Sequence, residues 1–381
     1  MNEFIPYGRH YIDDEDIKEV IKVLKSDFIT QGPLIEEFER RLAKYCGARY
    51  AVTFSSGTAA LHAAYFSLGI GAGDEFITTP ITFVATSNAG LFLGAKPIFV
   101  DIEYDTGNID VSLLERYITE KTKAITVVHY AGHPVDLEKV KKIADRYNLK
   151  VIEDACHALG AKYKDSKIGS CKYSDVTVFS FHPVKHITTG EGGAVLTNDE
   201  NVYEKLRMFR NHGITKDSGK FVFDPDGPWY YEMHFLGYNY RLTDIQAALG
   251  ISQLKKLDVF IVRRREIANI YNQAFEDLDV LELPVEKNYA YHSYHLYVKR
   301  IRDFSMKKRV FDYLISKNVK PQVHYIPVYK HPYYRKMGYS NIYLQNAERF
   351  YKHSLSLPMY PSLKEKHIAM IIRFIREAIE R

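Results

Sequence analysis

Ser180-Phe181-His182-Pro183-Val184-Lys185 closes a strand-like run that begins at Asp175, and Thr188-Thr189-Gly190-Glu191-Gly192-Gly193 follows. One amine is thus presented at the mouth of a buried strand, directly before a glycine-rich segment. Upstream, a second apolar strand, Lys150-Val151-Ile152-Glu153, ends in Asp154. An amine and a carboxylate so placed suit the two reactive ends of pyridoxal 5′-phosphate. The lysine can condense with the aldehyde, and the aspartate can hold the ring nitrogen protonated so that the ring accepts electrons from a carbanion. The bland alternative is a solvated surface charge, the usual fate of a lysine. A lysine between a β-branched run and a glycine cluster fits that alternative less well.

Ser55-Ser56-Gly57-Thr58-Ala59-Ala60-Leu61 follows a strand and opens a helix. Free N–H groups and the helix dipole there suit a phosphate, although Ser and Thr also serve as ordinary N-caps. Ser180, five residues before Lys185, supplies a hydroxyl for a second wall of such a site. Phe83, in Thr79-Pro80-Ile81-Thr82-Phe83, is either core or a ring stacked on the cofactor. His157, three residues past Asp154, is either a contact to the ring or its phenolic oxygen, or a satisfied buried histidine. Gly69-Ile70-Gly71-Ala72-Gly73-Asp74 follows a helix and precedes a strand, the reverse of a dinucleotide loop, so it reads as a helix-terminating turn. His129, His133, His157, His182 and His186 show neither His-x-x-x-His on one helix nor a carboxylate cluster, so no metal site is expected.

The elements that must position these residues follow from periodicity. Asp14 to Leu24 reads as a helix with Ile17, Val20, Ile21 and Leu24 on one stripe, and Leu34 to Tyr45 as a second amphipathic helix. Seven apolar runs follow: Tyr50–Phe54, Glu75–Thr78, Pro97–Val100, Ala124–His129, Val151–Glu153, Val176–Phe181 and Ala194–Thr197. With helix-length segments between them, they predict an α/β domain with a mostly parallel seven-stranded sheet covered on both faces. Ligands of such sheets bind beyond the carboxyl ends of the strands, and Ser56, Asp154, Ser180 and Lys185 all lie just after a strand. A long helical stretch is expected from Arg241 toward Phe275. A smaller α+β region follows, with a strand near His295–Val298, helices near Lys307–Lys317 and Leu344–His353, and a last helix from about Leu363. The expected division is a large domain over 1–250 and a smaller C-terminal domain over 251–381.

The 381 residues are 46% hydrophobic and 26% charged, which supports a core and argues against wholesale disorder. No apolar run reaches about 18 residues, so no membrane span is expected. The start, Met1 to Pro6, lacks a basic segment followed by an apolar one. Cys46, Cys156 and Cys171 form no Cys-x-x-Cys pair, which leaves cytoplasmic residence as the default. The charge of +5 suits an anionic small molecule. The pI near 8.7 falls below the value of about 9 expected for a nucleic-acid binder, so no nucleic acid is expected as partner. The 30 tyrosines read as packing and interface material.

With those residues in hand, the chain closely resembles the DegT/DnrJ/EryC1/StrS family of pyridoxal-phosphate sugar aminotransferases, of fold type I. The match rests on Gln31-Gly32-Pro33, Ser56 to Leu61, Thr79 to Phe83, Glu153-Asp154-Ala155-Cys156-His157-Ala158-Leu159-Gly160, Ser180 to Gly193, and Gly237-Tyr238-Asn239-Tyr240-Arg241-Leu242-Thr243-Asp244. The resemblance implies that Lys185 carries the cofactor as a Schiff base and Asp154 pairs its ring nitrogen. It further implies that Gly57, Thr58 and Ser180 hold the phosphate while Phe83 and His157 sandwich the ring. Asn239 would reach the phosphate from the partner subunit with Arg241 beside the substrate, which implies a homodimer with shared active sites. Ser55 stands where asparagine often precedes Ser-Gly-Thr, and His186 departs from the usual residue after the lysine.

Phe181 to Lys185, Ile187 to Gly193 and Val323-His324-Tyr325-Ile326-Pro327-Val328-Tyr329 look most like the pseudaminic acid branch of the family. That implies transfer of the amino group of L-glutamate to C4 of a UDP-linked 4-keto-6-deoxy-N-acetyl sugar. The alternative is another UDP- or dTDP-linked 4-keto-6-deoxyhexose within the family. Relatives that dehydrate instead carry histidine in place of the lysine, and Lys185 argues against that chemistry. An intact lysine, aspartate and phosphate loop likewise argue against a purely regulatory role. Tyr7, Gln31, His182, His324, Tyr325 and Tyr329 are the candidate sugar walls, although each tyrosine is equally open to a core or surface role.

Overall fold

The computed structural model describes residues 3–380. Met1, Asn2 and Arg381, which the expectations for the N-terminal start and the C-terminal domain include, lie outside the described residues. Helix α1 (Asp14–Leu24) starts where the Asp13 carboxylate accepts the N–H groups of Glu15 and Asp16. Helix α2 (Pro33–Cys46) begins on a proline and ends at Gly47, whose φ of 84° is the left-handed stop. The seven strands are β1 (Tyr50–Phe54), β2 (Glu75–Thr78), β3 (Lys96–Phe99), β4 (Thr122–Val128), β5 (Lys150–Asp154), β6 (Val176–Ser180) and β7 (Gly193–Thr197). They form one sheet in the order β1-β7-β6-β5-β4-β2-β3. All neighbours are parallel except β7, which runs antiparallel to both β1 and β6.

Alternation along the strands divides the core into two layers. Ile125, Val127, Val151 and Leu196 pack on one face under α2, α5 (Leu137–Tyr147) and α7 (Asp244–Leu254). Ala124, Ile152, Val176 and Val195 pack on the other, with α3 (Gly57–Ser67) and α6 (Glu200–Phe209). The parallel register brings Val128 level with Asp154, and the antiparallel one sets Gly193 opposite both Phe54 and Ser180. The carboxyl ends of β1, β4, β5 and β6 therefore share one edge, where the chemistry-bearing residues were expected.

A second core joins the latter part of α8 (Leu257–Phe275) to a three-stranded antiparallel sheet of Leu281–Glu282, Tyr297–Ile301 and Ser354–Leu357 and to the last helix, Glu365–Glu380. The N-terminal segment adds to this unit. The Ile5 N–H donates to Asn318 O, and Ile5 O accepts from the Lys320 N–H, both at 2.9 Å.

Two expectations need correction. The strand expected near His295–Val298 lies at Tyr297–Ile301. The stretch from Arg241 to Phe275 is two helices, broken at Lys255 and Lys256, whose amines turn to Glu15 and to Asp13 and Asp16 of α1. The same contacts orient α1. The buried Asp16 carboxylate accepts from Gln253 Nε2 at 2.8 Å, so the face with Asp16 and Val23 packs inward. Ile17, Ile21 and Leu24 are left 48%, 44% and 57% exposed.

Candidate active site

A cavity of about 610 Å³ opens at the shared strand edge. From β1 the chain enters α3 through Ser56, whose Oγ accepts the Ala59 N–H at 3.1 Å. The N–H groups of Gly57 and Thr58, in the first turn, have no intrahelical acceptor. Gly57 is required by sterics, since a Cβ there would sit 2.9 Å from Ser180 Cβ. The helix N-terminus and the Ser180 hydroxyl thus form one concave cradle, suited to an anion.

Asp154 ends β5 in the cavity floor. Its Oδ2 accepts from Thr86 Oγ1 at 2.7 Å and its Oδ1 from the Cys156 N–H at 3.2 Å. Lys185 follows β6 on a turn closed by its own N–H to His182 O, 2.9 Å. Phe83, 59% exposed, stands at the rim with its ring centroid 6.2 Å from that of Tyr325. His157 is buried, with Nε2 3.1 Å from Tyr325 Oη and Nδ1 without a partner in the protein. Tyr7 reaches the cavity because the Met359 N–H donates to Tyr7 O at 3.0 Å, tying the N-terminal segment to the second core. His324 is oriented by Ser356 Oγ, 2.8 Å from its Nδ1, and by the Tyr130 hydroxyl, which donates to its carbonyl.

Burial dominates the electrostatics. It lowers the Lys185 amine, while Cys156 and Asp154 nearby oppose the shift. It holds His157 well below the ordinary histidine value, with Lys185 adding to the effect. It takes His324 down to about 3. The Cys156 thiol is pushed well above its usual value, by burial first and Asp154 second. The result is an amine inclined to lose its proton beside a carboxylate, enclosed by neutral imidazoles.

The cavity brings together Tyr7, Gly57, Thr58, Phe83, Asp154, His157, Ser180, His182, Lys185, His324 and Tyr325. Other candidates lie elsewhere. Gln31 and Arg241 line a separate cavity of about 390 Å³, where Arg241 Nη1 donates to Asn211 Oδ1 at 2.6 Å. Asn239 is exposed, its backbone bridged to Asn211. Tyr329 is not a wall of the cavity. It is 2% exposed, packs near Phe99, and donates to Glu348 Oε1 at 2.9 Å. His186 is buried away from the cavity, its Nε2 3.2 Å from Ser293 O. Thr82, Thr86, Cys156 and Gln322 also line the cavity and were not singled out from sequence. The four-residue spacing of Thr82 and Thr86 was the available signal for that pair. Among the described residues, no group of three His, Cys, Asp or Glu side chains could hold a metal ion, and no helix is long and apolar enough to cross a membrane.

The residues fit pyridoxal phosphate. There is an anion cradle that a Cβ at position 57 would fill, a partly buried amine, a buried carboxylate, and a buried imidazole nitrogen, that of His157, without a partner in the protein. Fold and site together define a pyridoxal-phosphate-dependent aminotransferase of fold type I. The chain belongs to the DegT/DnrJ/EryC1/StrS aminotransferase family, whose sequence profile matches residues 10–376.

Among its relatives is the UDP-4-amino-4,6-dideoxy-N-acetyl-β-L-altrosamine transaminase of Campylobacter jejuni, 42% identical over 367 residues, 95% of this chain and 94% of that one. The solved structure of Helicobacter pylori PseC, an aminotransferase of pseudaminic acid biosynthesis, matches with a TM-score of 0.92 at 38% identity, covering 99% of this chain and 100% of that one. Spr1654 of Streptococcus pneumoniae, solved in its PMP form, matches with a TM-score of 0.91 at 30% identity, covering 99% of both chains. It has also been solved in its PLP form.

Proposed function

We propose that the protein transfers the amino group of L-glutamate to C4 of a UDP-linked 4-keto-6-deoxy-N-acetyl sugar, yielding UDP-4-amino-4,6-dideoxy-N-acetyl-β-L-altrosamine and 2-oxoglutarate. The observation that carries this reading is the presence of Lys185 and Asp154 in one cavity that is also lined by Tyr7, His182, Gln322, His324 and Tyr325. These side chains end in hydrogen-bonding groups, of the kind that orient a polyhydroxylated ring. The names of relatives at about 40% identity point to the same sugar.

In this reading Gly57, Thr58 and Ser180 hold the cofactor phosphate, Phe83 and His157 flank its ring, and Asp154 faces its nitrogen. Bound there, the cofactor supplies an electron sink and a carrier for the amino group. Lys185 holds the cofactor and then, with its basicity set by burial, takes the proton from the carbon of the amino donor and returns one to the sugar carbon. The neutral imidazoles of His157 and His324 accept hydrogen bonds without adding charge. The active unit is a homodimer in which Asn239 and Arg241 complete the partner's site. The exposure of Asn239 supports this, as do the uncovered apolar residues Ile17, Ile21 and Leu24 of α1 and Trp229 and Leu236.

A glutamate-coupled assay across three ketosugars tests the assignment. The UDP-linked N-acetyl-4-keto-6-deoxy-L-arabino sugar is expected to be preferred over its D-xylo epimer and over dTDP-4-keto-6-deoxyglucose. Preference for the dTDP sugar would assign the protein to another 4-ketosugar of the family while leaving the cofactor chemistry intact.

A further inference from the structure

Asp154 is held from two sides. On one, the Cys156 N–H meets Oδ1; on the other, the Thr86 hydroxyl meets Oδ2 at 2.7 Å, the shorter of the two bonds. Thr86 Oγ1 also lies 3.2 Å from Phe83 O. A hydroxyl has one proton to give, and the nearer, charged acceptor takes it. Thr82 Oγ1 is 2.8 Å from Thr86 Oγ1. With the Thr86 proton committed to the carboxylate, Thr82 must be the donor in that contact. The order is Thr82 to Thr86 to Asp154, a chain in which each bond polarises the next.

The chain is walled in. Thr82 is 3% exposed, Thr86 1% and Asp154 4%, so little water competes for these atoms. Thr86 itself sits in the first turn of α4 (Ala85–Leu91), and its carbonyl accepts from the Tyr65 hydroxyl at 3.0 Å. Tyr65 is in turn 2.9 Å from Thr126 Oγ1, on β4 next to β5. The donor to Asp154 is therefore fixed to the same sheet as Asp154, through a different set of contacts. Both threonines also line the cavity.

We infer that Thr86, backed by Thr82, is a positioning residue. It fixes the plane of the Asp154 carboxylate so that the remaining acceptor directions face the ring nitrogen of the cofactor. This rests on the reading of Asp154 as the partner of that nitrogen. Without the Thr86 hydroxyl, Oδ2 loses its strongest donor while remaining buried, and the carboxylate turns toward whatever donor is left. The hold on the ring-nitrogen proton weakens, and with it the electron sink. A hydrogen bond to a charged group carries a factor on the order of 10 to 100, so the half-reaction with L-glutamate should slow by that much in Thr86→Val.

The test uses the full-length protein loaded with pyridoxal 5′-phosphate carrying ¹⁵N in the ring, read by NMR. Thr86→Val is expected to move the ring-nitrogen signal toward the unprotonated position and to weaken cofactor binding roughly tenfold. Thr86→Ser, which keeps the hydroxyl, should restore both. Thr82→Val removes only the back-up donor and should give a smaller shift in the same direction, which supplies the measurement if Thr86→Val does not fold. Asp154→Asn is the reference. If Asp154→Asn moves the signal while Thr86→Val and Thr82→Val leave it at the wild-type position, Thr86 is merely structural and the inference is overturned. If Asp154→Asn leaves the signal unmoved, the role given to Asp154 is wrong and the inference falls with it.

Discussion

Acid should unfold this protein earlier than its carboxylates alone would require, because it keeps several histidines buried and neutral. His62, His133 and His324 are 2%, 1% and 6% exposed, and burial takes them from 6.5 to about 4, about 4 and about 3. These folded values lie below the unfolded one, so below pH 6.5 the unfolded chain binds more protons and stability falls. Above pH 6.5 the stability is fully present; the loss continues until the folded values near 4 and 3 are reached. At pH 5.5 an unfolded histidine is about ten-to-one protonated while each folded one stays neutral, a loss of about 1.4 kcal/mol apiece. The three together give about 4 kcal/mol between pH 7.5 and pH 5.5, and His157, His186, His292 and His295, also lowered by burial, act in the same direction. Glu103, raised by burial, opposes this, but carboxylates titrate mostly below that window. Equilibrium urea unfolding at the two pH values measures the loss. His62 is the informative probe, since it packs between Phe92, Phe209 and Tyr238 and its Nε2 has no partner. His62→Leu should recover about 1.3 kcal/mol of the loss at pH 5.5. A wild-type stability that changes by less than about 1 kcal/mol over this range, or a His62→Leu variant with unchanged pH dependence, would refute the reasoning.

Lys185→Ala is expected to bind cofactor without the visible absorption band of the lysine-bound form and to lose turnover; substantial transamination by the purified variant would remove Lys185 from its assigned role. Gly57→Ala places a Cβ 2.9 Å from Ser180 Cβ, so cofactor affinity measured by fluorescence should drop by about tenfold or more, and an unchanged Kd would show that the cradle is not the phosphate seat. Mixing Lys185→Ala with an Asn239→Ala/Arg241→Ala double variant should restore part of the activity, through heterodimers carrying one intact site; no recovery despite proven subunit exchange excludes a shared site. Tyr329→Phe removes the hydroxyl bonded to Glu348 and should cost about 1 to 3 kcal/mol in denaturant unfolding while leaving the sugar KM within about twofold; a large KM increase would place Tyr329 against substrate.

Short apolar runs closed by turn residues reported the local path of the chain correctly, because strand and helix periods are written in neighbouring side chains. All seven strands of the sheet lie within a few residues of where those runs placed them, and parallel connection brings their carboxyl ends to one edge. That is why the residue order by itself made Ser56, Asp154, Ser180 and Lys185 legible as one group. What periodicity does not carry is which face another part of the chain will cover. The period of α1 put Ile17, Val20, Ile21 and Leu24 on one stripe, but a buried acid sets which face packs inward, because Asp16 finds Gln253 and Lys256 more than 230 residues away. The single helix expected after Arg241 breaks for the same reason, as Lys255 and Lys256 turn toward α1. Tyr329 stood in a segment that matched the family, but a turn and the distant Glu348 draw it into the interior. Thr86 was unremarkable in sequence and gains its place at Asp154 only when α4 packs over the end of β5. The sequence alone determined the strands and the placement of Lys185 and Asp154 at or just beyond their ends. Tertiary structure alone decided the burial around them and the Thr86 hydrogen bond to Asp154, since these need segments far apart in the chain to meet.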